Sequence, residues 1–302
     1  MKVIVSGLGR MGMQIVQKLV EGGHEVIAHN RSADKVEEAK AIGATPAFTV
    51  EEAVQACDHQ PAIIWLMVPA GVIDDVVDQW LAAAPQGSVL IDGGNSDYRG
   101  DGVRAERISA AGLAPLDIGT SGGVHGYKRG FCMMVGGSQA AYEEIIPALD
   151  ILAAPSGIHN YFGKSGAGHY VKMVHNAIEY GMMQSLAEGY LMLKNGPIAG
   201  IDLAKAGDTW QHSSVITSWL NELSAEALHE SPELEEIPGV VAESGEARWT
   251  LETAKSMNID LPAIQAAFDV RVASQQGAVD FSTKLLAAMR NKFGGHDLAG
   301  KQ

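Results

Sequence analysis

The sequence predicts an α/β protein in two parts: an N-terminal Rossmann-type, doubly wound parallel sheet over residues 1–165, then an all-α C-terminal domain over residues 166–302. Short apolar strands alternate with amphipathic helices through the first half, the pattern of a parallel sheet covered on both faces. A glycine loop, GLGRMG, stands between the first strand and the first helix. Past about residue 165 the alternation stops and helical periodicity runs nearly to the end. A chain of 302 residues has room for two cores, since single cores stop growing near ~250 residues.

KVIVSG opens as a strand, and RMGMQIVQKLVEGG follows as a helix, with Ile15, Val16, Leu19 and Val20 on one side and two glycines to end it. HEVIAHN is the next strand and SADKVEEAKAIG the next helix, with Ser32 as N-cap. AIIWLMVP, SVLIDGGNS, APLDIG and FCMMVGG supply further strands between helical stretches. GAGHYVKMVHNAIEYGMMQSLAEGYLMLKNG then reads as one helix beyond the common globular length. DLAKAGDTWQ, SVITSWLNELSAEALH, GEARWTLETAKSMN and LPAIQAAFDVRVASQQ give more helices, and ESPELEEIPG is an acidic, proline-punctuated loop.

A formal charge of −14 argues against nucleic acid or an anionic membrane as partner. It also requires that an anionic substrate meet a local cluster of cations. Cys57 and Cys132 make no disulfide framework, which suits a reducing cytoplasm. The chain opens into a strand with no signal-like segment. Its longest apolar run, PAIIWLMVPAGVI, has 13 residues and two prolines, short of the ~20 that span a bilayer. A soluble, cytoplasmic protein is expected.

Gly7, Gly9 and Gly12 have the G-x-G-x-x-G spacing in strand–turn–helix context, a strong signal for dinucleotide binding. Gly7 permits the turn, Gly9 lets a pyrophosphate approach the backbone, and Gly12 lets helix pack on strand. The helix N-terminus offers free N–H groups and the positive end of its dipole. An NAD site usually ends its second strand in Asp or Glu. This chain has His29, Asn30, Arg31 and Ser32 there, and Asp34 falls within the next helix. Arg31 can grip a 2′-phosphate with its planar fork, and Ser32 can add a hydroxyl if it is not spent as a cap. NADP is therefore favoured over NAD.

YVKMVHNAIEYGMMQ sets polar groups in an apolar segment. Lys172, His175, Asn176 and Glu179 recur at i, i+3, i+4 and i+7, so they share one helical face, with Tyr180 beside them. The flanking residues are mostly apolar or glycine, so the stripe reads as a cavity wall rather than a solvated face. One His and one Glu four residues apart make a poor metal-ligand set. Passing a hydride to a nicotinamide requires a base for the substrate hydroxyl. A lysine serves if its amine is neutral, which partial burial and His175 favour and Glu179 opposes. A second acid two turns away suggests protonation of carbon at a later step.

GHYVKMVHNAIEYGMMQ is similar to the signature of 6-phosphogluconate dehydrogenase, the decarboxylating enzyme of the pentose phosphate pathway. The resemblance continues through GLGRMG, HNRS, IDGGN and TSGG, nearly end to end. It implies oxidation of the substrate at C3, loss of carbon dioxide, and protonation of the enediol to ribulose 5-phosphate, without a metal. Lys172 is implied as general base and then acid, and Glu179 as the acid that protonates C1. His175 and Asn176 position substrate hydroxyls and nicotinamide, and Asn95, Ser121, Gly122 and Gly123 line the same pocket. The implied coenzyme contacts are Gly7, Leu8, Gly9, Arg10, Met11, Gly12, Asn30, Arg31, Ser32, Val68, Pro69 and Asn95. RNKFGGH resembles the segment whose Arg290 and His296 reach the substrate of a neighbouring subunit, which implies a homo-oligomer. Arg271 and Tyr180 fit further contacts to the substrate phosphate.

Two departures stand out. Longer members place a lysine and a threonine where ESGEARWT has Ser244 and Glu246, and acidic residues where this chain has Val124 and His125. With one set of helices, the chain resembles the short-form branch, whose coenzyme and sugar acid vary more. A related 3-hydroxyacid dehydrogenase without decarboxylation is the alternative, sharing the glycine loop, the Ser-Gly-Gly turn, the lysine and the asparagine. Glu179 and the tail favour the decarboxylating reading. A non-catalytic NADP-binding regulator would have no use for both Lys172 and Glu179.

Overall fold

The computed structural model describes residues 1–295. The chain divides into two compact units, Met1–Lys172 and Met173–Gln302. The first runs β1 (Lys2–Ser6), α1 (Arg10–Glu21), β2 (Glu25–His29), α2 (Ala33–Ala41), β3 (Thr45–Ala47), α3 (Val50–Ala56), β4 (Ile63–Leu66), α4 (Ile73–Ala83), β5 (Val89–Asp92), α5 (Tyr98–Ala110), β6 (Ala114–Ser121), α6 (Gly126–Arg129), β7 (Cys132–Gly137), α7 (Gln139–Ala153) and β8 (Ile158–Gly163). The strands form an eight-stranded sheet in the order β3-β2-β1-β4-β5-β6-β7-β8.

Alternation along the strands gives this sheet a core on each face. Val3, Val5, Ile63, Trp65, Val89 and Ile91 pack with Ile15, Val16 and Leu19 of α1 and Ile145, Leu149 and Leu152 of α7. Ile4, Ile27, Ile64, Leu66 and Leu90 pack on the other side with Val54 of α3, Val77 and Trp80 of α4 and Ile108 of α5. A strand covered on both faces must be apolar at every position, so these segments read as continuous apolar runs.

The sheet departs from the expected parallel form at β7, which runs antiparallel to β6. Residues 122–131 connect the two through a 3-10 turn, Gly123–His125, and the short α6. That is too little chain for a parallel re-entry, which takes roughly a dozen residues or more. The longer α7 is a true crossover, and β8 lies parallel to β7. Periodicity does not reveal β3 or β8. Both are edge strands: β3 has 3 residues, and β8 alternates only between exposed and half-buried positions. Little apolar burial leaves little signal.

α8 (Ala167–Asn195) begins in the first unit and continues into the second. It is followed by α9 (Leu203–Gln211), α10 (Trp219–Glu230), α11 (Glu246–Ser256), α12 (Pro262–Gln275) and α13 (Phe281–Gly294). Met183, Tyr190, Leu203, Leu220, Leu228, Leu285, Leu286 and Met289 build the core of this unit. Inside it, Asn221 accepts from the Tyr190 hydroxyl at 2.9 Å and donates to the Gly207 carbonyl at 3.0 Å, which offsets the cost of burying an amide. α10 starts at Trp219 rather than within SVITS, because the Ser218 hydroxyl caps it by accepting the Asn221 N–H at 3.1 Å. Among the described residues no helix is long and apolar enough to cross a membrane.

Candidate active site

In the first unit the glycine loop lies where strand order reverses, between β1 and β4, at the carboxyl ends of the strands. This is the ligand crevice of open α/β sheets. Gly7 has φ +104°, and a Cβ there would collide with the Met67 carbonyl. A Cβ on Gly12 would strike the Gly7 carbonyl, so loop and helix touch backbone to backbone. Gly9, the N-cap of α1, faces open space, and no acidic residue stands in that helix's first turn. The first-turn N–H groups and the dipole are therefore available to an anion, and the loop fits a dinucleotide pyrophosphate.

The other residues expected at the coenzyme differ in how they stand around the loop. Leu8 buries its side chain in the core, so only its backbone borders the loop. Its N–H donates to Asn30 Oδ1 at 3.0 Å, and Asn30 Nδ2 donates to the Ser32 carbonyl at 3.3 Å, so Asn30 braces the loop from β2. Arg31 and Ser32 are exposed, and Ser32 sits at the N-cap of α2 without a side-chain capping bond. The hydroxyl is not spent as a cap. Arg10 is exposed and Met11 half-buried at the start of α1. Val68 and Pro69 follow β4, and Asn95 is exposed after β5. Ser121 ends β6, and Gly122 and Gly123 follow it with φ +135° and +53°. Gln14 of α1, which periodicity does not single out, grips this turn's continuation: it donates to the Val124 carbonyl at 3.2 Å and accepts the Tyr127 N–H at 2.9 Å.

Lys172 is anchored by a buried polar cluster. Asp117 of β6 accepts the backbone N–H groups of Gly166 and His169 at 2.8 and 3.0 Å, tying down the first turn of α8. Burial pushes the Asp117 carboxyl up, against the charge of His169 and these two N–H bonds. His169 Nδ1 meets Asp101 Oδ2 at 2.8 Å, and Arg104 donates to Asp101 Oδ1 at 2.7 Å with its Nε 3.8 Å from Asp92. Burial pulls the His169 imidazole down, but Asp92, the bond to Asp101, and the charges of Asp101 and Asp117 outweigh it and push it up to about 9. Asp92, Asp101 and His169 are close enough to share a cation. Here Arg104 already supplies positive charge to both carboxylates.

One turn beyond His169, Lys172 is 7% exposed and lies against Gly119 of β6, where any Cβ would collide with its own Cβ. Burial pushes the neighbouring Cys132 thiol up, and the Lys172 charge pulls the other way. Cys132 pairs with Ser121 at the carboxyl end of β6.

In the second unit, Asn176 is 9% exposed and Tyr180 buried, while His175 and Glu179 are half-buried. His175 Nδ1 lies 2.9 Å from Asn176 Oδ1, and Asn176 Nδ2 donates to Glu246 Oε1 at 2.8 Å. The Arg271 guanidinium is 1% exposed, stacks 3.3 Å from the centre of the Tyr180 ring and donates to Met183 Sδ. Its Nη1 has no hydrogen-bond partner among the described residues. Burial, helped by the charge of Arg290, pulls Arg271 down to about 10 against Tyr180 and Glu179. Burial likewise lowers Arg290, against Tyr180, Glu179, Glu246 and Glu243. Two guanidiniums thus share one neighbourhood beside Tyr180, and neither is a solvated surface group. His296 lies outside the described residues. Glu246, buried at 2% exposure, is the member that helical patterning did not mark; a carboxylate opening a helix after a positive-φ glycine looks like an ordinary first-turn acid.

Comparison with known proteins matches both halves. A model of the NAD binding domain of 6-phosphogluconate dehydrogenase covers residues 2–166, and one of the 6-phosphogluconate dehydrogenase C-terminal domain covers residues 168–283. The NAD(+)-dependent, decarboxylating 6-phosphogluconate dehydrogenase of Haloferax volcanii is 40% identical over 304 residues, 100% of this chain and 99% of that protein. The decarboxylating 6-phosphogluconate dehydrogenase of Synechococcus elongatus is 34% identical over 286 residues, 89% of this chain but only 60% of that longer one. The 6-phosphogluconate dehydrogenase structure from Plasmodium falciparum superposes with a TM-score of 0.82 at 28% identity, over 100% of this chain and 66% of that one. With its sheet domain and its helical region each matched in the same family, this chain belongs to the 6-phosphogluconate dehydrogenases.

Proposed function

We propose that this protein oxidises 6-phosphogluconate at C3, releases carbon dioxide and forms ribulose 5-phosphate, using NADP or NAD. One observation carries the reading: Lys172 is a buried lysine held over Gly119 by a capped helix start, with Glu179 two turns farther along the same helix. Base and second acid are what oxidation followed by decarboxylation requires.

The nicotinamide, when bound, supplies the hydride acceptor. Lys172 takes the proton from the C3 hydroxyl and, as an ammonium, donates to the C3 oxygen while the carboxylate leaves. Glu179 delivers a proton to C1 of the enediol. His175 and Asn176 orient hydroxyls, and Asn95, Ser121, Gly122 and Gly123 border the same substrate. Arg271 and Arg290 serve the phosphate, and their positive charge answers the chain's net −14. Arg31 and Ser32, both exposed and without a capping role, support NADP through its 2′-phosphate. The relative from Haloferax volcanii is named NAD(+)-dependent. We also infer a cytoplasmic homo-oligomer in which the C-terminal tail, through His296, reaches a neighbouring subunit's substrate, while Arg290 stays beside Tyr180 of its own chain.

The test supplies 6-phosphogluconate with NADP and, separately, NAD, and measures coenzyme reduction and carbon dioxide together. Equal amounts of both products are expected. Coenzyme reduction without carbon dioxide would identify a 3-hydroxyacid dehydrogenase instead.

A further inference from the structure

Helix α1 presents two faces with different tasks. Ile15, Val16 and Leu19 bury into the sheet core. Gln14, Lys18 and Glu21, spaced i, i+4 and i+7, share the other face, and all three hold the chain that follows the Ser-Gly-Gly turn. Gln14 Nε2 donates to the Val124 carbonyl at 3.2 Å, and Gln14 Oε1 accepts the Tyr127 N–H at 2.9 Å. The two partners fix the orientation of the amide, since a carbonyl can meet only its NH2 and an N–H only its oxygen. Lys18 is 8% exposed and donates to the Tyr127 carbonyl at 3.3 Å and the Ala154 carbonyl at 2.6 Å. The Tyr127 hydroxyl donates to Glu21 Oε1 at 2.7 Å.

Gln14 is the rung nearest the turn. On one side of the turn, ladder pairing with β7 fixes Ser121 against Cys132. Gly122 and Gly123 then pass through φ +135° and +53°, a pair of angles that the wide freedom of glycine permits but does not hold. Val124 comes next, and Gln14 takes its carbonyl. The turn is thus stretched between a sheet anchor and a helix anchor. Gln14 lies about 6 Å along the axis from Arg10, at ~1.5 Å per residue. The helix end that offers free N–H groups to a pyrophosphate therefore also carries the anchor of the turn.

We propose that Gln14 is a positioning residue: from the coenzyme helix it sets the turn at residues 121–123, and so registers bound substrate against bound coenzyme. The inference rests on the proposed reaction for what the turn holds, though not for the grip itself.

The test uses the full-length protein and two variants. Gln14→Met keeps the length of the side chain and loses both bonds. Gln14→Glu keeps the Tyr127 bond but sets a carboxylate oxygen against the Val124 carbonyl, which guards against a poorly folded methionine variant. Hydrogen exchange of the coenzyme-free proteins, read by mass spectrometry, should speed up at least about tenfold across residues 122–131 in both variants and stay level in β1 and α7. In turnover, kcat with 6-phosphogluconate should fall at least about tenfold, as for reacting groups held slightly out of place. The dissociation constants of NADPH and NADH, followed by their fluorescence, should stay level, a split that general loosening of the unit would not give. Unchanged exchange across residues 122–131 in both variants overturns the proposal, as does full kcat in both or a coenzyme affinity that falls in step with kcat. Wild-type protein inert toward 6-phosphogluconate would sink the functional reading, while the exchange result would still decide the grip.

Discussion

Replacing His169 with Gln should flatten the alkaline side of the stability profile. In the folded chain this imidazole is 2% exposed, bonded to Asp101 and surrounded by Asp92 and Asp117, and its pKa stands at about 9 rather than 6.5. At about 1.4 kcal/mol for each tenfold change in proton affinity, that rise is worth about 3 kcal/mol. The sign follows from a raised folded-state value. Below pH 6.5 both folded and unfolded chains hold the proton and the full contribution is present; as pH rises toward 9 the unfolded chain has released it while the folded chain pays to keep it, and above about 9 the contribution is gone. Urea unfolding of wild type and His169→Gln, followed through the buried Trp65 and Trp80 of the same unit, would be compared at acid, neutral and alkaline pH. The difference between the two proteins should shrink by about 3 kcal/mol across the window. Parallel profiles, or a His169 ring that titrates near 6.5 in the folded protein, would refute the charged network.

Other substitutions probe the chemistry. Lys172→Met should abolish turnover while coenzyme binding, followed by titration, persists; weakened binding instead would argue against a role as base. Glu179→Gln should slow the steps after hydride transfer, visible as reduced tritium exchange at C1 with C3 oxidation retained. Gly119→Ala places a methyl where the Lys172 Cβ now lies, so kcat should fall steeply in a protein that still binds coenzyme; near-normal kcat would show that the lysine need not sit there. Arg31→Ala should weaken NADP by about 1–3 kcal/mol, as for a charged hydrogen bond, and NAD far less, with equal losses ruling out a contact to the 2′-phosphate.

The sequence alone determined the strand–helix alternation, the glycine loop and the polar stripe of α8, because each is a local period or spacing written into neighbouring residues. Buried parallel strands are apolar throughout, and a helical stripe repeats within two turns. It could not show that β7 turns back antiparallel, since direction depends on how much chain the connection offers. Nor could it find β3 and β8, edge strands that bury too little to leave a pattern. Tertiary structure decided that Asp117 caps α8 from β6, that Gly119 makes room for Lys172, and that Arg271 lies buried against Tyr180. It also placed Glu246 against Asn176 across 70 positions of chain. Such pairs meet only after folding, because hydrogen bonds and charges act over a few ångströms of space and carry no trace of their distance along the sequence.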